Sequence, residues 1–73
     1  MEYEELIKER ISINKDLIKL IDREIKFVKK HMDYLDDGLY DSRIEKMKIK
    51  LKQLRLQKKS LKIKIMEDEN LLD

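Results

Sequence analysis

The sequence predicts an all-α fold: an antiparallel two-helix hairpin of coiled-coil type, dimerising into a four-helix bundle. Three observations predict it. An apolar series steps by three and four along most of the chain. There is no proline and one glycine, Gly38, near the middle. A helix-start signal, Ser42 with Glu45, follows four residues after that glycine. The expected organisation is a single helical-hairpin domain over residues 1–73, with a first helix over about 2–36, a turn over 37–41, a second helix over about 42–68 and a frayed acidic C-terminus over 69–73.

The first helix follows from Ile7, Ile11, Asn14, Ile18, Ile21, Ile25, Val28, Met32 and Leu35, a heptad seam whose one polar position is Asn14. Glu2, Glu4 and Glu5 fall in its first turn, where carboxylates complement the helix dipole. It is expected to stop at Gly38, which takes a left-handed helix end without a Cβ clash, with Leu39 reaching back to Tyr34 as in a Schellman motif. Ser42 and Glu45 then form a capping box. So short a connection forces the helices antiparallel.

The second helix continues the heptad as Ile44, Met47, Leu51, Leu54, Lys58, Leu61 and Ile65 before the seam degrades at Asp68 and Leu72. Pairing about Leu39 and Tyr40 fills every layer: Leu35 with Ile44, Met32 with Met47, Val28 with Leu51, Ile25 with Leu54, Ile21 with Lys58, Ile18 with Leu61 and Asn14 with Ile65. Caps and seam are independent signals, and they agree. The alternation from Lys46 to Leu51 resembles a strand, but no turn residue divides the segment and its Lys, Leu and Gln favour helix.

Composition bounds the rest. A 73-residue chain without cysteine has little surface to bury and no disulfide to help it. Charged residues make up 47% and hydrophobic ones 41%, a balance typical of coiled coils rather than of disordered tails. No apolar run approaches the roughly 20 residues that span a bilayer, and the acidic N-terminus has the wrong sign for a signal peptide. A soluble, cytoplasmic protein with no membrane partner is the expectation.

Each helix carries a second apolar row. Leu6, Ile13, Leu20, Phe27 and Tyr34 recur every seven residues on the first, widened by Leu17, and Ile49, Leu56 and Ile63 do so on the second. Rows of this length are unusual on a monomer surface. They predict self-association, most simply as a homodimer, and together form the expected oligomer or partner interface.

Charge is concentrated in the second helix. Between Ser42 and Met66 stand Arg43, Lys46, Lys48, Lys50, Lys52, Arg55, Lys58, Lys59, Lys62 and Lys64 against Glu45, although the whole chain carries a net charge of +2. Such a surface is either a solvated coiled-coil face or a binder of nucleic-acid phosphates, for which Arg43, Lys46, Lys50, Arg55, Lys59 and Lys62 are the candidates. Glu67, Asp68 and Glu69 should meet Glu2, Glu4 and Glu5 at the open end, and this like-charge contact predicts the fraying.

Little points to chemistry. His31 has no cysteine to share a zinc ion with. The run Asp33, Asp36, Asp37, Gly38, Asp41 resembles a calcium loop, but it puts Leu35 and Ile44 where ligand oxygens belong. No nucleophile–base set or phosphate loop appears, so no catalytic residue, cofactor, metal or small-molecule substrate is expected. The reading is a non-enzymatic helical interaction protein that binds another protein as an inhibitor, adaptor or regulator; the alternative is a small nucleic-acid-binding regulator.

Overall fold

The computed structural model describes residues 2–35 and 42–73. Two helices make up almost all of these, α1 (Tyr3–Leu35) and α2 (Ser42–Leu71), and they pack against each other along their length as a hairpin. Among the described residues there is no strand, so the alternation in α2 is carried by helix. The expected turn, the glycine stop, the Leu39 contact and the last residue of the first helix, Asp36, lie outside the described residues.

The Glu2 carbonyl accepts a hydrogen bond from the Leu6 amide at 3.2 Å, setting the first turn of α1. Ser42 opens α2. With about 30 residues each and 1.5 Å of rise per residue, the helices form a rod of 56 × 15 × 14 Å.

The seam is where the heptad puts it. Ile7, Ile11 and Val28 of α1 and Leu51, Leu54 and Ile65 of α2 are buried. The other seam positions, from Asn14 to Leu35 on α1 and from Ile44 on α2 to Leu72 just past its end, are at least half-buried. Off the seam, Asp22 alone among the described residues is half-buried. Two clusters result. One gathers Ile7, Ile11 and Ile65 with Ile18 and Leu72; the other gathers Val28, Leu51 and Leu54 with Ile21, Ile25, Met32 and Met47. Lys58 sits where they adjoin, its stem along the seam and its Nζ donating to Asp22 Oδ1 at 2.6 Å.

At the open end the second helix runs a little past its expected limit near 68. α2 continues as helix to Leu71, through the start of the segment expected to fray, and closes with the Leu72 amide donating to the Glu69 carbonyl at 3.1 Å. The cause is Arg10. The register sets Asp68 across from Ile11, so the neighbouring guanidinium grips its carboxylate with two bonds, Nε to Oδ2 at 2.8 Å and a terminal nitrogen to Oδ1 at 2.6 Å. Counting carboxylates at the two ends overlooks this cation one step off the seam, and with it the seam continues to Leu72.

Candidate interaction surfaces

With the seam located, a helix of about 100° per residue fixes where every other residue lies. In an antiparallel pair, the positions bordering the seam on one side of α1 meet their equivalents on α2, and likewise on the other side. The rod therefore has two flanks, and they differ in chemistry.

One flank is apolar and mostly uncharged at its middle. α1 contributes Ile13, Leu17, Leu20 and Phe27, and α2 contributes Gln53, Gln57 and Ser60. A groove of about 400 Å³ runs between them, lined by Leu17, Ile21, Gln57, Ser60, Leu61 and Lys64. Towards the open end it gives way to a polar hollow where Arg10 and Asp68 meet beside Asn14, Lys64 and Glu67. There, hydrogen bonding to Arg10 holds the Asp68 carboxyl below the ordinary carboxylate range, and Asp68 in turn raises the Arg10 guanidinium. Towards the turn, Phe27, Lys30, His31 and Tyr34 form a shallow apolar patch, with the Phe27 and His31 rings edge-on at 6.0 Å.

All nine residues of the two outer rows are exposed, from Leu17 at 41% to Tyr34 at 86%. They do not form one surface. The row on α1 is centred about 110° around the helix from the seam and borders the groove through Leu17. The row on α2, Ile49, Leu56 and Ile63, lies about 170° from its seam, on the back of the hairpin. A shared four-helix core needs its faces on adjoining sides of each helix; α1 meets that condition and α2 does not.

The opposite flank is basic. The six cations expected to meet phosphate are split: Arg43, Lys46 and Lys50 fall on the apolar flank near the turn, whereas Arg55, Lys59 and Lys62 fall on the opposite one. There they join Lys8, Lys15 and Lys29 of α1, which composition conceals because the charge of α1 sums to near zero. Register, not composition, brings these lysines together.

Among the described residues no group of three His, Cys, Asp or Glu side chains is placed to hold a metal, and no helix is long and apolar enough to cross a membrane. No family model, curated protein or solved structure matches the chain.

Proposed function

We propose that the protein is a non-enzymatic interaction protein that self-associates through the outer face of α1 and acts by binding another protein along the back of α2. The observation that carries the reading is the exposed row Leu6, Ile13, Leu17, Leu20 and Phe27, continuous with a groove whose floor is the hairpin's own seam. A second copy laid on this face would extend that core.

Burying a large aliphatic side chain stabilises by roughly 1.5–3 kcal/mol, and these are already about half covered, so each adds about 1 kcal/mol. Two copies bring ten such side chains, a gross gain of about 10 kcal/mol. That competes with an association cost of roughly 4–15 kcal/mol, so assembly should depend on concentration. The neutral Gln53, Gln57 and Ser60 bring no charge to be desolvated there.

The ridge Ile49, Leu56 and Ile63 would stay outside this assembly. Lys52 and Lys59 border it, so the partner it fits is an amphipathic helix with carboxylates beside its apolar stripe. Light scattering tests the assembly: Leu20→Glu should leave a helical monomer, and Leu56→Glu should leave the wild-type mass. A single-chain mass for the wild type at high micromolar concentration overturns the self-association. Retention of a partner protein that survives Leu56→Glu but not Leu20→Glu would overturn the assignment of the ridge.

A specific feature favours a second reading, a nucleic-acid-binding regulator. It is the pairing of lysines from both helices on the basic flank.

A further inference from the structure

We infer that the basic flank, built from α1 and α2 together, is a docking surface for the phosphate backbone of a nucleic-acid duplex. This deepens the nucleic-acid reading above, on which it rests, by naming the ligand as a duplex, and it does not depend on self-association.

The positions that face each other beside the seam normally carry opposite charges in a stable helix pair. Here the register sets Lys15 opposite Lys62 and Lys29 opposite Lys48, like charge against like. Between these pairs the flank holds one carboxylate, Asp22, opposite Arg55, and Lys58 already occupies it at 2.6 Å. Lys8 faces Glu69 in the same register and Lys48 lies 3.7 Å from Glu45 of its own helix, while Lys15, Lys29 and Lys62 form no ion pair with a carboxylate among the described residues. Lys19, Lys26, Lys52 and Lys59 stand one row further out and widen the strip. The hairpin thus holds repelling cations together without neutralising them, at a cost in its own stability that a polyanion would relieve.

The geometry favours a duplex. Seven residues of helix advance about 10.5 Å, so Lys8, Lys15 and Lys29 span about 32 Å, close to one duplex turn of roughly 34–36 Å. The cations lie in two rows on helices whose axes are about 8–10 Å apart, so contacts can fall on both sides of a groove. Single-stranded binding needs aromatic platforms, and Phe27 and Tyr34 are on the other flank. An anionic membrane needs apolar residues among the cations, and between Glu5 and Glu69 this strip offers Met66 alone.

The test is fluorescence anisotropy with a labelled random-sequence DNA duplex of about two helical turns, titrated with salt. The triple variant Lys15→Gln, Lys29→Gln, Lys62→Gln is compared with Lys46→Gln, Lys50→Gln, Lys64→Gln on the apolar flank. Glutamine keeps exposed helix positions intact, and circular dichroism checks it. The first triple should flatten the salt slope by about 2.7, at roughly 0.9 for each phosphate no longer neutralised, and weaken binding at low salt at least tenfold. The second should leave the slope unchanged. Equal losses from both triples would show unspecific attraction and overturn the proposal. So would absence of duplex binding at about 50 mM salt, or equally tight binding to polyglutamate, which would mark an acidic protein as the ligand.

Discussion

Two leucines of α2, two residues apart, offer the sharpest test of how the hairpin is held together. Leu54 is 5% exposed and Leu56 is 66% exposed, and both sit mid-helix, so helix propensity cancels between Leu54→Ala and Leu56→Ala. Removing Leu54 opens the cluster it forms with Val28 and Leu51. Leucine-to-alanine changes in protein cores cost roughly 3–5 kcal/mol, and because many seam neighbours here are half-exposed and free to close in, about 2–3 kcal/mol is expected. A core this size contributes about 3–5 kcal/mol in all, so the loss is half the stability or more. Leu56 covers a third of its surface, mostly against its own helix, and its removal should cost about 0.5 kcal/mol or less. Urea unfolding at dilute protein, followed by far-UV circular dichroism, converts these costs into midpoint shifts at about 1 kcal/mol per molar urea. The expected shifts are about 2–3 M for Leu54→Ala and below about 0.5 M for Leu56→Ala. Equal shifts, or a larger one for Leu56→Ala, would mean that the seam and the back of α2 have been exchanged.

Asp68→Asn should reshape the acid side of the stability curve. The carboxyl is held below its unfolded value of about 3.9, so its contribution is fully present above that pH and is lost as pH falls through the lower folded value. The wild-type and variant melting temperatures should therefore converge in acid, and a gap independent of pH would refute the Arg10 coupling. Lys58→Leu should stabilise the hairpin by about 1 kcal/mol, because an apolar side chain would bridge the two core clusters and the Asp22 pair it replaces is partly exposed. A lower midpoint in urea would instead show that the ion pair holds this layer together. His31→Ala should leave the global midpoint within about 0.5 kcal/mol of wild type, since the ring is exposed and touches Phe27 alone among the described aromatic residues.

The seam was legible in the sequence to the residue as far as Ile65. Every position from Ile7 to Ile65 that the three–four spacing assigns to it is buried or half-buried, because in a two-helix rod one stripe per helix is all that burial has to select. The open end was not. Summed charge places six carboxylates there, whereas the fold responds to which groups share a layer, and Arg10 shares one with Asp68. The same failing concealed the basic flank. Lys8, Lys15 and Lys29 disappear into the near-neutral total of α1 and become visible once each residue is given its angle about the helix. The two outer rows differ in angle as well: the row on α1 borders the seam, whereas Ile49, Leu56 and Ile63 lie opposite it, as their spacing against the seam positions of α2 already indicates.

That angular difference bears on how folding and assembly are connected. Among the described residues no side chain is fully buried, and Ile18, Ile21 and Leu61 remain half-covered. Leu17 of the α1 row borders the same groove as Ile21 and Leu61, so a second copy on that row would complete the burial of the seam itself. On the proposed assembly, association is therefore linked to folding, and the melting temperature should rise with protein concentration. A partner on the back of α2 or a duplex on the basic flank touches no part of the seam. Either would stabilise the hairpin only through its own affinity, so Leu20→Glu should abolish the concentration dependence of melting without abolishing ligand-induced stabilisation.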